Sequence, residues 1–434
     1  MTATTSKYRK LVQTASLIFA LIIAFWIPSY RWVLSDFIVA WILFSVLEFQ
    51  FKKRFKQNVK GRFKNLILVM QLLLFATILS EFLFAEDKNI ITKNIVQKLS
   101  FLIFPLLFSF SGTNFKTKKD LFLKLFVFSN LIMSLICLGV ASYHSLSFIE
   151  GKVLFQPHYL SYRSYFTQSD LSVFHHRSYF SMYIVFSIAI LFYLAEKQHF
   201  FNTKIKKMLF LLILLFFSII ILLLASRAGI LSLFLLFVWL VIQKIALFEN
   251  IIYKILAGLL IVIMLFFVSE DKRIQNTVKQ ISIDKNKRDY TGKGVLARPV
   301  LWAAALDIIK ENFFTGIGTE KFNTVYKKSY QKYRNKKLSL SKSFMYNVHN
   351  QFLEEFVLYG IFGFLLLLAL FVYPIIISFK KNNNLFMFFL LIAGFNFLFE
   401  SMFDTIAGIV FFSFFLNYFI FVFDDTNEKI KITE

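Results

Sequence analysis

His349 and Asn350 stand where a long polar segment gives way to an apolar run, in VHNQFLEEFVLYGIFG. A histidine side chain titrates near neutrality, so one at the mouth of a helix can take a proton from a reacting hydroxyl and release it again. It can equally serve as a helix cap bonded to backbone. Upstream, Arg298 precedes Pro299 in RPVLWAAALDIIKENFF. Proline suits the first turn of a helix, and the unpaired amides of that turn beside a guanidinium make a ready anion site. Arg227 lies in ASRAG between two long apolar runs. A charge there is costly without a partner or a route to the interface, and a phosphate is the partner we expect. His175-His176-Arg177 opens a further apolar run, which makes His176 and Arg177 candidate substrate contacts. Adjacent histidines lie about 100° apart on a helix and do not chelate as an i, i+4 pair does, so no metal site is expected. Glu400 and Asp404, four apart in FLFESMFDTIAG, could act as acid and base, bind a cation or solvate a turn.

The elements that must position these residues are membrane helices. The chain is 58% hydrophobic, with 60 phenylalanines, 14 glycines and 5 prolines. Its continuous, nearly uncharged runs are too long for a soluble core and lack the alternation of barrel strands. The one cysteine, Cys137, lies inside such a run, so neither a disulfide nor a CxxC site is expected. A formal charge of +24 would suit nucleic acid. Basic residues flanking membrane spans more simply face lipid or phosphate, and no nucleic-acid partner is expected. The basic cluster from Lys7 to Lys10 precedes a long apolar run with no small-residue cleavage site, which reads as a first span and not a signal peptide.

Twelve spans are expected, at about 11–27, 32–51, 65–85, 99–113, 121–143, 178–196, 208–225, 229–247, 251–268, 351–379, 385–402 and 405–423. They form an all-α polytopic membrane protein, one integral unit over residues 1–434. Basic clusters before the first span, at 52–64, 116–119 and 197–207, at Lys244 with Lys254, and at Lys380-Lys381 alternate with poorer connections. All fall on one side, which places both termini in the cytoplasm. The 144–177 loop, Ser226-Arg227 and a large loop over 269–350 then face outward. That large loop carries seventeen lysines and arginines against seven acidic residues, an excess of ten. Loops of this length translocate regardless of charge. An anionic ligand would account for the excess, as would anionic headgroups beneath the loop.

No Walker loop, GxGxxG turn after a strand, GxSxG elbow or HExxH helix is present. What is present is an ordered set: Ser226-Arg227-Ala228-Gly229, Arg298 with Trp302, Gly316 with Gly318, His349-Asn350-Gln351-Phe352-Leu353, and Gly360 with Gly363. Together with His175-His176-Arg177-Ser178-Tyr179-Phe180, this order across residues 175–363 resembles the O-antigen ligase and polymerase superfamily of polytopic membrane glycosyltransferases. One position departs. Members often carry an acidic residue two before the first glycine of the returning helix; here it is Leu358, with Glu354 and Glu355 nearby.

The resemblance implies a GT-C-like arrangement of helices around an outward-facing cavity in the cytoplasmic (inner) membrane. It implies a polyprenyl-pyrophosphate-linked glycan donor, and an acceptor hydroxyl on a lipid A-core, a glycan or a protein. Pyrophosphate leaves without protonation if cations hold its developing charge, which suits Arg227 and Arg298 as its binders. The acceptor hydroxyl needs a base, which suits His349, with Asn350, His176 and Arg177 as further contacts. Attack opposite the leaving group inverts the anomeric centre. No cofactor or metal is required. A repeat-unit polymerase, a protein O-glycosyltransferase, and a transporter or flippase of an anionic lipid-linked substrate are the alternatives.

Overall fold

A computed structural model describes residues 3–29, 31–48, 62–149, 151–160, 163–197, 203–244, 297–332 and 347–423. The expected span 251–268, Arg288 and the 269–296 and 333–346 parts of the large loop lie outside the described residues.

The described residues are helical almost throughout. Their helices are α1 (Ala3–Trp26), α2 (Arg31–Val46), α3 (Arg62–Phe84), α4 (Lys88–Lys98), α5 (Ser100–Phe110), α6 (Lys119–Ser145), α7 (Gln168–Leu171), α8 (Arg177–Lys197), α9 (Lys204–Leu224) and α10 (Arg227–Lys244). Beyond the gap follow α11 (Ala297–Glu311), α12 (Gly318–Lys332), α13 (Gln351–Lys380), α14 (Asn384–Phe397) and α15 (Ile406–Phe421). Among the described residues, seven helical segments are long and apolar enough to cross a membrane, and four apolar helices are shorter. Each of these eleven overlaps an expected span; the twelfth expectation is the stretch that is not described. The fourth span is longer than its apolar core suggested, because α4 and α5 follow one another from Lys88 to Phe110. Asp87 starts that pair by accepting from Asn89 N.

Helices α8 and α15 are buried along most of their length and form the centre. Their phenylalanines interlock with those of α6 and α14: Phe126 meets Phe415 edge-on at 4.8 Å and Phe186 meets Phe415 at 5.0 Å. Lipid offers no hydrophobic drive between helices, so such close ring packing and buried hydrogen bonds hold the bundle. Gln71 and Asn417 exchange two amide bonds, at 3.2 and 2.8 Å. Lys98 of α4 lies buried 3.6 Å from Glu355 of α13 and donates to the Tyr359 hydroxyl at 3.3 Å. Removing either charge would strand the other in a low dielectric, so this pair ties α4 to α13.

The 144–177 segment, expected as a loop, contains two antiparallel hairpins. Strands β1 (Leu146–Ile149) and β2 (Lys152–Phe155) form the first, β3 (His158–Leu160) and β4 (Arg163–Ser164) the second.

Helix α13 is broken at Gly360, whose φ of 63° and ψ of −160° leave the helical region. The freed backbone groups bond to the turn that joins α11 to α12. Ile361 N donates to Phe313 O and Ile317 N to Val357 O, both at 2.9 Å. Gly316 sits at φ 69° in that turn. A Cβ on Gly316 would overlap the Leu358 carbonyl, and one on Gly360 the Phe314 carbonyl. The two glycine motifs thus serve one contact, backbone against backbone. Gly316→Ala and Gly360→Ala should each lose stability by at least about 1–3 kcal/mol, the usual cost of a strained backbone conformation. Gly139→Ala, in open space within α6, should be neutral or slightly stabilising. Thermal melts of the three purified variants in one detergent test this, and a wild-type melt for either of the first two would refute the contact.

Candidate functional site

The site is built where α13 begins. Asn350 caps that helix, its Oδ1 accepting from Leu353 N at 3.1 Å. The residue before it, His349, holds a positive φ of 51°, a conformation uncommon for a non-glycine residue. This turn sends the ring to the carboxylate of Glu400, with Nδ1 3.0 Å from Oε2. The other oxygen of the same carboxylate, Oε1, accepts from Arg298 Nη2 at 3.0 Å and from Ser178 Oγ at 3.2 Å. One acidic side chain therefore joins the start of α11, the mouth of α13 and the start of α8. Arg298 also covers the Phe399 ring, 5.6 Å from its centroid.

The turn that carries Glu400 is fixed from below by the first turn of α13. Gln351 Oε1 accepts from Phe403 N at 2.6 Å. Glu354 Oε2 accepts from Val348 N at 3.3 Å and from the Ser401 hydroxyl. Asn347 Nδ2 donates to Asp404 Oδ2 at 2.8 Å, and Tyr179 donates its hydroxyl to Ser401 O at 3.3 Å. The backbone on both sides of the His349–Glu400 contact is thereby held.

Electrostatics assign the protons. Burial pushes the Glu400 carboxyl up, but the hydrogen bond from His349 and the charges of His349, Arg298 and His176 outweigh it and leave the group below its ordinary 4.5. An ionised carboxylate only accepts, so Nδ1 of His349 is the donor in this contact and Nε2 is left for a second partner. His349 is the most open of the three, its side chain 38% exposed against 13% for Glu400 and 19% for Arg298. Burial also lowers the His176 pKa, opposed by Glu400 and reinforced by Arg177, His349 and Arg298. His176 therefore shares this neighbourhood. Arg177 turns the other way, Nη1 3.5 Å from Ala225 O. That contact brings the start of α10, and so Arg227, to the same end of the bundle, where Arg227 is partly buried.

Of the residues expected from sequence, His349, Arg298 and His176 converge around Glu400. Asn350 supports them as a cap, and Arg177 and Arg227 lie at the same end along the α8–α10 seam. Glu400 is the group whose place the sequence left open among three roles; an acid inside FLFESMF was its only signal. Ser178, Gln351 and Glu354 stand in or beside the sequence motifs but with no role assigned to them. Among the described residues, no group of three or more histidine, cysteine, aspartate or glutamate side chains could hold a metal ion. Beside Asn350 opens an apolar cavity of about 780 Å³ between α10, α13 and α14, lined by Leu235, Trp239, Leu353, Phe364, Phe388 and Leu391 among others.

Residues 210–368 match a family model described as O-Antigen ligase. This segment, less than half of the chain, is similar to O-antigen ligases, in keeping with the order of motifs across residues 175–363. That match, with the apolar helices, supports a multi-pass membrane protein of O-antigen ligase- or polymerase-like function. No curated protein matches the chain significantly. The O-antigen ligase segment runs from α9 into α13 and contains Arg227, Arg298, both docking glycines, His349 and Asn350; His176, Arg177 and Glu400 lie outside it.

The depressed Glu400 carboxyl sets a pH dependence. A group whose pKa falls on folding stabilises the fold above its unfolded value and loses that contribution as pH drops through the folded one. Glu400→Gln should therefore melt below wild type at pH 7, and the gap should narrow below about 4.5, the ordinary glutamate range. A gap that widens on acidification would contradict an ionised Glu400.

Proposed function

We propose that this protein transfers a saccharide from a polyprenyl-pyrophosphate-linked donor to an acceptor hydroxyl at the outer face of the cytoplasmic membrane, as an O-antigen ligase does. The observation that carries the reading is the shared carboxylate. Glu400 joins a guanidinium suited to phosphate and a histidine suited to a hydroxyl in one partly enclosed cluster.

Each residue has a part. Arg298 and Arg227 hold the pyrophosphate; a guanidinium has five N–H donors and Glu400 engages Arg298 at Nη2, so the fork can take a second anion. His349 Nε2 accepts the acceptor's hydroxyl proton while the oxygen bonds to the anomeric carbon. The bond from that carbon to the phosphate oxygen breaks, its electron pair leaves with the pyrophosphate, and the configuration inverts. Glu400 keeps the His349 proton on Nδ1 and stabilises the imidazolium that forms. His176 and Arg177 border the acceptor side, and Asn350 fixes the helix mouth. The apolar cavity beside Asn350 suits the donor's prenyl chain. Arginines take the place that a metal holds in other transferases, so chelator should leave the rate unchanged. Both termini are cytoplasmic in this reading.

In purified, reconstituted protein, His349→Ala should keep donor binding and lower transfer roughly 10²- to 10⁴-fold, the scale of a general base. Wild-type transfer by this variant would remove His349 from the chemistry. Arg298→Lys and Arg227→Lys should lose transfer about ten- to a hundredfold, as expected when a charge-assisted contact of about 1.5–3 kcal/mol is misaligned. Absence of any glycosidic product from wild type would favour a transporter. In a deletion strain, accumulated full-length lipid-linked chains indicate a ligase and single repeats a polymerase.

The orientation has its own check in intact cells. A cysteine placed at residue 58 should be shielded from a membrane-impermeant reagent, and one at residue 290 should react. Labelling at 58 would invert the topology.

A further inference from the structure

The first hairpin has one wholly apolar face. Leu146 pairs with Phe155 and Phe148 with Val153. Because side chains alternate along a strand and paired residues share a face, these four side chains form a single patch. All are open, at 52, 58, 80 and 57% exposure respectively. The opposite face is mixed, with Ser147 against Leu154 and Ile149 against Lys152. Phe155 meets Phe166 with ring centroids 6.0 Å apart, which anchors one corner and leaves the rest uncovered among the described residues. The second hairpin differs: Tyr159 packs at a tilt against Tyr165, ring centroids 4.8 Å apart, and donates to Asp170 at 2.9 Å.

The hairpin's height is set by α6, from which it emerges without a linker. Lys124, exposed near the start of that helix, is the last charge before Ser145. From Lys124 to His144 is a rise of about 30 Å at 1.5 Å per residue, equal to the hydrocarbon thickness of a bilayer, about 30 Å. With the Lys124 ammonium at one interface, β1 therefore begins at the other. That is the end at which α8 starts and the site lies. A ribbon at this depth with four apolar side chains on one face, and Ser147 and Lys152 alternating with Leu154 and Ile149 on the other, matches the boundary between headgroups and acyl chains.

We propose that the β1–β2 hairpin is a membrane-dipping element whose Leu146, Phe148, Val153 and Phe155 enter the acyl region of the leaflet on the site's side. The occupant of the face is lipid. The chain between β2 and α8 carries His176 and leads into Arg177, the first residue of α8, so the hairpin anchors to the bilayer the wall on which those residues stand.

Nitroxide accessibility tests the assignment in protein reconstituted into phosphatidylethanolamine and phosphatidylglycerol vesicles. Spin labels go on Phe148→Cys, Val153→Cys, Ser147→Cys and Lys152→Cys; these exposed or half-buried positions should tolerate the change, and Cys137 is buried. Labels at 148 and 153 should collide freely with oxygen and lose collisions with an aqueous nickel chelate. Labels at 147 and 152 should show the reverse. Equal access of the chelate to 148 and 147 would place the face in water and overturn the proposal. Loss of both oxygen and chelate collisions at 148 would mean that protein, a second copy or a partner, covers the face, and would overturn it equally.

Discussion

A carboxylate taken out of water must find donors or cations, and Glu400 meets that demand by drawing three parts of the fold together. Its oxygens are used by Arg298 from α11, His349 from the mouth of α13 and Ser178 from α8. None of these elements is adjacent in sequence, and without the carboxylate a guanidinium and an imidazole would face each other with no common partner. The same requirement explains the support beneath it. Gln351, Glu354 and Asn347 bond to the 401–404 turn from the α13 side, so the position of Glu400 is set by the helix whose mouth carries His349. A local shift of either element would move both ends of the contact.

The loop helices reach this position by a backbone exchange. Breaking α13 at Gly360 frees buried amide and carbonyl groups, which cannot be left unpaired. The turn at Phe313–Ile317 supplies the missing partners, and only glycine at 316 and 360 lets the two backbones meet. Glu320 then accepts from Glu86 N and Asp87 N, and Thr319 N donates to Glu81. Helix α12 is thereby pinned across α3 and α4. Arg298 stands one helix earlier on this docked unit, so its approach to Glu400 is a consequence of the glycine contact.

Much of the architecture was legible because a membrane span is a property of composition over a window. Eleven of the expected runs coincide with apolar helices without any knowledge of partners. The glycine pairs were visible as motifs, but that Gly316 and Gly360 face each other is a relation between segments more than forty residues apart, which no local pattern encodes. Glu400 was legible as a costly acid in an apolar stretch, and its role was not, because three readings of an acid differ only in what surrounds it. The β1–β2 hairpin escaped notice for another reason: strands of four residues are too short for alternation to stand out from a neighbouring span. Arg177 illustrates the limit of adjacency, since it follows His176 directly yet bonds to Ala225, away from the Glu400 cluster.

In the proposed reaction the same carboxylate resolves a conflict. A site that attracts pyrophosphate needs positive charge, yet positive charge close to His349 opposes the imidazolium that forms when the acceptor's proton arrives. Glu400 separates the two demands by geometry. Oε1 meets Arg298 and Oε2 meets His349, so the negative charge stands between the cation that holds the leaving group and the ring that must become a cation. As the donor's phosphates approach Arg298, part of the guanidinium's charge is matched by the ligand, and more of the carboxylate's field is left for the ring. Donor binding would then prepare the base. Base strength and leaving-group stabilisation are coupled through one side chain, which is why a neutral glutamine at 400, similar in shape, would preserve the contact in outline and lose what it does.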